Sequence, residues 1–161
     1  MIGPIPRSVF ATVVAIAVAV LVAVLVAACA SAGTQSAPLS NAAISPSLGV
    51  DLAEYVRTAD GLFYRDVTVG TGAVAVASSR VLVAYRLLLA NGTQVDSSAG
   101  LPIRLARDPI IKGWKLGIPG MREGGSRILV IPPELGYAWR AVGPVPANST
   151  LLFRVQLLKV E

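Results

Sequence analysis

Apolar side chains recur at every second position near the end of the chain, where Leu151, Phe153, Val155 and Leu157 alternate with Arg154 and Gln156 in "STLLFRVQLLKVE". A period of two is the mark of a strand with one face buried. The stretch "SRVLVAYRLLLANG" also alternates, placing Val81, Val83, Tyr85, Leu87 and Leu89 on one face and Leu82, Ala84, Arg86 and Leu88 on the other. Both faces are largely apolar, so this strand is expected to be central or partly covered on each side. Asn91-Gly92 comes next and supplies the positive φ angles of a tight hairpin turn, which makes "TQVDSS" the returning strand. "GLFYRDVTVGTG" reads as a strand ending in a glycine turn, and "SRILVIPP" as one stopped by Pro132-Pro133, which cannot donate to a ladder. The one good place for a short helix is Ile110 to Leu116. The pattern predicts an α+β fold, mostly strand: a curved antiparallel sheet wrapped around one short α-helix, since each apolar face needs a partner layer.

Before this domain the texture is different. Arg7 precedes an uncharged run from Ser8 through Ala28, and Val26-Ala27-Ala28 leads into Cys29. A short basic region, an apolar stretch and small residues before a cut have the layout of a secretory signal. The last four residues resemble a bacterial lipobox, with valine where leucine is commoner, in which the cysteine becomes the lipidated first residue. The same run is long enough to cross a bilayer as an uncleaved anchor helix, and either reading tethers the domain to a membrane on its extracytoplasmic face. "ASAGTQSAPLSNAAISPSLG" after the cysteine is small, polar and proline-punctuated, and reads as a flexible tether. The expected organisation is a signal with lipobox over residues 1–28, a tether over 29–59 and one domain over 60–161.

Composition then removes whole classes of chemistry. Among the 161 residues there is one cysteine and no histidine. That excludes an intramolecular disulfide, a zinc site with cysteine and histidine ligands, and a Ser-His-Asp triad. The formal charge of +5 is spread over the domain, at Arg57, Arg80, Arg104, Lys115, Arg127 and Arg140 among others, without a run. Nucleic-acid binding shows a clustered patch, so no nucleic-acid partner is expected. A weak preference for anionic headgroups is compatible with such a surface.

The pieces "LVAYRLLLANGTQVDSS", "PIIKGW", "GIPGMREGGSRILVIPPELGY" and "STLLFRVQLLKVE" occur in an order and spacing that resemble the FKBP-type peptidyl-prolyl isomerases, over nearly all of residues 60 to 161. The resemblance implies an apolar cup for a proline ring. Trp114 would be its floor, Tyr85 and Phe153 its walls, and Val95, Ile103, Ile110 and Val145 further lining positions. Ile111 would offer its backbone N–H and Tyr137 its hydroxyl to carbonyls of the bound peptide, and Asp96 would place a carboxylate near the reacting amide. It further implies a monomer acting on proline-containing polypeptides without metal or cofactor; the lipobox-like motif, separately, implies attachment to the membrane by a lipid on Cys29. Taken singly, Trp114 and Phe153 read as core and Asp96-Ser97 as a turn or strand end. Gly113, Gly117 and Gly120 read as structural, allowing close packing and turns around the helix.

Rotation about an X-Pro bond makes and breaks no covalent bond, although the amide barrier is about 18–20 kcal/mol. Lack of histidine and of a catalytic cysteine is compatible with that reaction. Several positions depart from the family pattern. Val95 and Ile103 stand where phenylalanines are frequent, Leu87 and Ala138 where glycines are usual, and Pro146-Ala147 where two prolines are typical. The loop from Leu135 to Asn148 is short and carries Trp139. A cup with fewer aromatics is expected, and two readings are open: an isomerase of exported polypeptides, or a module of the same fold that holds proline-containing segments without efficient turnover. A purely structural envelope lipoprotein is the third class.

Overall fold

A computed structural model of the chain describes residues 39–161, within a compact unit running from Pro38 to Glu161. The signal-like run, Cys29 and the first part of the expected tether lie outside the described residues. Six strands form one sheet: β1 (Val56–Arg57), β2 (Phe63–Thr68), β3 (Arg80–Leu89), β4 (Gln94–Arg104), β5 (Ser126–Ile131) and β6 (Leu151–Val160). Their spatial order is β1-β2-β5-β6-β3-β4, with every neighbouring pair antiparallel. One helix, α1 (Lys112–Gly117), packs on the inner face of this curved sheet. The α+β architecture is the one the alternation predicts. β3 lies between β6 and β4, as a strand apolar on both faces should.

The period-two residues build the inner core. Val81, Val83 and Leu87 from β3, Leu129 and Ile131 from β5, and Leu151, Phe153, Val155 and Leu157 from β6 are buried there with Ile118 and Met121. β4 runs farther than the "TQVDSS" reading, to Arg104, and its register against β3 shifts twice. At each shift β4 spends one extra residue, a β-bulge that bends the strand. One of these falls at Val95, between the pairs Leu87↔Asp96 and Leu88↔Gln94.

The expected tether is corrected by the packing of its second part. Residues 39–55 form three single 3-10 turns, Asn41–Ala43, Pro46–Leu48 and Leu52–Glu54, laid on the outer face of the sheet. Ile44, Leu52 and Tyr55 are buried there against Phe63, Ile128, Val130 and Leu152, with Leu39, Leu48, Val50 and Leu88 packed around them. The Asp51 carboxylate accepts from the Asn41 amide and the Ala53 N–H, and the Ser45 N–H donates to the Ala90 carbonyl. The folded unit therefore starts about twenty residues before Asp60, because the outer face of β2, β5 and β6 needs this cover.

One charged pair stands inside. Arg127 points inward from β5 and donates from Nε to Asp66 Oδ1 at 2.6 Å and from Nη2 to Oδ2 at 2.9 Å. Its Nη1 reaches the Gly117 carbonyl at 2.8 Å and the Pro119 carbonyl at 3.4 Å, and the guanidinium lies 4.5 Å from the Tyr64 ring centroid. One side chain thus joins β2, β5 and the C-terminal end of α1, where the helix dipole favours a cation.

Candidate functional site

Helix α1 sits close to the sheet because its sheet-facing positions carry no side chain. A Cβ on Gly113 would lie 2.6 Å from Cδ1 and Cγ2 of Ile131, and one on Gly117 would lie 2.6 Å from Leu129 Cδ2. Glycine at both places lets the backbone approach β5 directly. Trp114, which follows Gly113, is 4% exposed and meets two other rings. Its centroid is 5.1 Å from Tyr85 at 80° and 5.1 Å from Phe153 at 77°, while Tyr85 and Phe153 are 5.8 Å apart at 55°. Edge-to-face geometry suits the ring quadrupoles and fixes the three planes relative to one another.

Above these rings opens a cleft of about 170 Å³. Tyr85, Asp96, Ile110, Ile111, Trp114, Tyr137 and Phe153 all border it, so the structure brings together seven of the ten expected peptide-site residues. Val95, Ile103 and Val145 are placed elsewhere. Ile103 and Val145 are buried in the inner core, and Val95, at the bulge, packs half-buried against that core. The cleft is completed instead by Leu87, Leu101 and Pro109. Leu87 was readable as lining, since it shares the inner face of β3 with Tyr85. Leu101 was not, because its inward direction depends on the second bulge of β4.

The polar groups are held from within the site. Tyr85 donates its hydroxyl to Asp96 Oδ2 at 2.6 Å, and the Ser97 N–H donates to Oδ1 at 2.8 Å. Burial, the Asp96 hydrogen bond and the nearby negative charge push the Tyr85 hydroxyl up to about 12. Burial first, then the Asp96 charge, raises Tyr137 as well. Both phenols therefore stay protonated donors through the physiological range. Tyr85 loses its proton near 10 when unfolded and near 12 when folded, so its contribution to stability is complete below pH 10 and disappears as pH rises to 12. Ultraviolet titration should show this phenolate forming only well above pH 10, and Tyr85→Phe should remove that late step; a tyrosine set titrating wholly at 10 is the contrary result.

Tyr137 is positioned by the turn Pro133–Leu135 and by the hydrogen bonds of its neighbour Ala138. Ala138 adopts φ of 51°, with its N–H on the Pro133 carbonyl at 2.8 Å and its carbonyl accepting from the Asn148 N–H at 2.7 Å. Left-handed backbone costs an L-residue about 1–2 kcal/mol. Ala138→Gly should accordingly raise stability by about 0.5–1 kcal/mol after the greater freedom of the unfolded glycine is subtracted. A denaturant midpoint that falls would count against strain here. The next residue, Trp139, is 71% exposed and stacks with Arg140, whose guanidinium is 4.9 Å from its ring centroid; it does not border the cleft.

Three aromatic rings under a small open cleft, one carboxylate held by two donors and two protonated phenols define a site that grips an apolar ring and its flanking amides. Residues 72–158 match the family model described as FKBP-type peptidyl-prolyl cis-trans isomerase, and the chain belongs to that family of isomerases. An FK506-binding protein of Neisseria meningitidis serogroup B is 46% identical over 105 residues, which are 62% of this chain and 96% of that protein. FK506-binding protein 4 of Chaetomium thermophilum is 39% identical over 119 residues, 72% of this chain but 23% of its own length. The crystal structure of FkpA from Escherichia coli superposes with a TM-score of 0.64 at 35% identity, covering 72% of this chain and 55% of that one. The chain thus spans nearly all of one relative and a minor part of another.

Proposed function

We propose that the chain accelerates cis–trans exchange of X-Pro bonds in exported polypeptides, from a position tethered to the outer side of the membrane through a lipid on Cys29. The observation that carries the catalytic reading is the cleft over Tyr85, Trp114 and Phe153, with Asp96 fixed at its edge. A proline ring entering it meets apolar surface on three sides. As the amide twists out of plane it loses resonance and much of its dipole, so surroundings poor in water favour the twisted form over the planar one.

The flanking peptide needs polar partners that do not move. Ile111 is the N-cap of α1, so its N–H lies outside the helical hydrogen-bond pattern and is suited to a peptide carbonyl. Tyr137 offers a hydroxyl that stays protonated. Asp96, with its two donors, acts as a fixed negative charge beside the reacting amide and not as a base. Uncatalysed exchange takes about 10–100 s at 25 °C, slow enough for such a catalyst to matter in folding outside the cytoplasm. Support for the tether comes from the layout around Cys29 alone.

The second reading, a proline-binding module with little turnover, is favoured by one observation. The walls contributed by Leu87 and Leu101 are aliphatic. Exchange spectroscopy on an apolar-X-Pro peptide separates the two: the isomerase broadens and merges the cis and trans lines, and Asp96→Ala weakens this effect. Peptide binding without any gain in exchange rate would leave the second reading standing. The mass of the mature N-terminus tests the lipid on Cys29.

A further inference from the structure

The outer face of the sheet is divided in two. One part lies under residues 39–55, and that cover ends where Leu48 and Gly49 border an open hollow. From the edge of that cover outward, the pairing places Arg65, Ile128, Arg154, Arg86 and Ser97 in one row across β2, β5, β6, β3 and β4, with Ile128 still under the cover. Two hollows lie along this row. The larger, about 490 Å³, has Arg86, Arg154, Ser97, Ser98, Ser126 and Gln156 on its walls. The smaller, about 300 Å³, has Arg65, Ser126 and Arg154, so Arg154 and Ser126 border both. No carboxylate lines either one.

Arg65 has a counterion in Glu54. Arg86 and Arg154 are directly opposite each other on paired strands, and neither takes part in an ion pair among the described residues. Like charges in register across a ladder are destabilising. Guanidinium groups have five donors each and no acceptor, and with serine hydroxyls and a glutamine amide beside them the hollow is rich in donors. Its complement is a compact anion with several acceptor oxygens, for which arginine pairs are suited.

We propose that the Arg86–Arg154 groove binds a phosphate group, bridged between the two guanidinium groups on the face of the sheet opposite the cleft. The bound anion removes the repulsion across the β3–β6 ladder, so occupancy stabilises the fold. The cleft is left open, and binding here is separate from isomerisation. The phosphate can belong to an anionic lipid headgroup or to a free solute, and the proposal holds whether or not the chain is lipid-anchored.

The test uses residues 39–161, which contain both hydrophobic clusters and the whole sheet; the Neisseria relative, nearly all of it matched, is itself no larger than this domain. Thermal unfolding is compared in sodium chloride and sodium phosphate at equal ionic strength. Wild type should show an upward, saturating shift of Tm in phosphate. Arg86→Gln with Arg154→Gln should fold with a Tm no lower than wild type in chloride, keep its isomerase rate and lose the phosphate shift, each arginine being worth about tenfold in affinity. Flotation with vesicles of phosphatidylglycerol in phosphatidylcholine, against phosphatidylcholine alone, assigns the source. Retention on the anionic vesicles that the double variant lacks assigns a lipid headgroup, with or without a shift in phosphate. A shift in phosphate without retention assigns a free anion. Neither effect, or either one persisting in the double variant, overturns the proposal.

Discussion

Asp66→Ala should lower the stability of the folded unit by about 3 kcal/mol, the lower end of what is lost when one partner of a buried ion pair is removed. The Arg127 side chain is 8% exposed, so loss of the carboxylate leaves its charge poorly hydrated. Two circumstances keep the loss from being larger. The carbonyls of Gly117 and Pro119 still accept from Nη1, and they lie at the negative end of α1. Asp66 itself is 36% exposed, so the wild-type pair is partly solvated and starts from a smaller gain. Replacing both partners, Asp66→Leu with Arg127→Met, should recover most of the loss, since an apolar pair strands no charge. Urea unfolding of the two variants and the wild type measures both effects. An unfolding free energy for Asp66→Ala within about 0.5 kcal/mol of wild type would show that the guanidinium does not depend on the carboxylate.

The strands were legible wherever one property alternated cleanly. β3 and β6 could be read residue by residue because Val81, Val83, Tyr85 and Leu87, and likewise Leu151, Phe153, Val155 and Leu157, keep a strict period of two. The second half of β4 could not, since Ala99, Gly100 and Pro102 are poor strand formers and a bulge shifts the inward side by one position. That same shift hid Leu101 as a wall of the cleft. Residues 39–55 were unreadable for a different reason. Ile44, Leu52 and Tyr55 are buried one at a time from separate turns, with no period, and a segment rich in small and polar residues looks like a tether until its partner face is known. The aromatic trio, Asp96 and Tyr137 were recognisable through their order along the chain. Their distances and the Tyr85–Asp96 hydrogen bond depend on tertiary packing, which no local pattern encodes.

Gly113→Ala is expected to reduce isomerase activity about 100-fold while the protein remains folded. The added methyl would lie 2.6 Å from Cδ1 and Cγ2 of Ile131 and 2.9 Å from Cγ1, so neither a rotamer change nor a small adjustment clears it. Helix α1 must move outward by roughly 1 Å, an overpacking that costs about 1–3 kcal/mol. Trp114 is the next residue and Ile111 is the helix N-cap, so the floor of the cleft and the N-cap N–H move together. Displacement of a positioned group by about 1 Å is enough for a 100-fold loss of rate. The effect should appear in the rate of exchange more than in the unfolding midpoint. Rescue distinguishes displacement from simple loss of stability: Ile131→Ala removes all three clashing carbons, so Gly113→Ala with Ile131→Ala should regain much of the rate even though the second change by itself costs about 2–5 kcal/mol. If the double variant is less stable than Gly113→Ala and also no faster, the glycine does not set the depth of the cleft, and the position of Trp114 must be held by its ring contacts with Tyr85 and Phe153 instead.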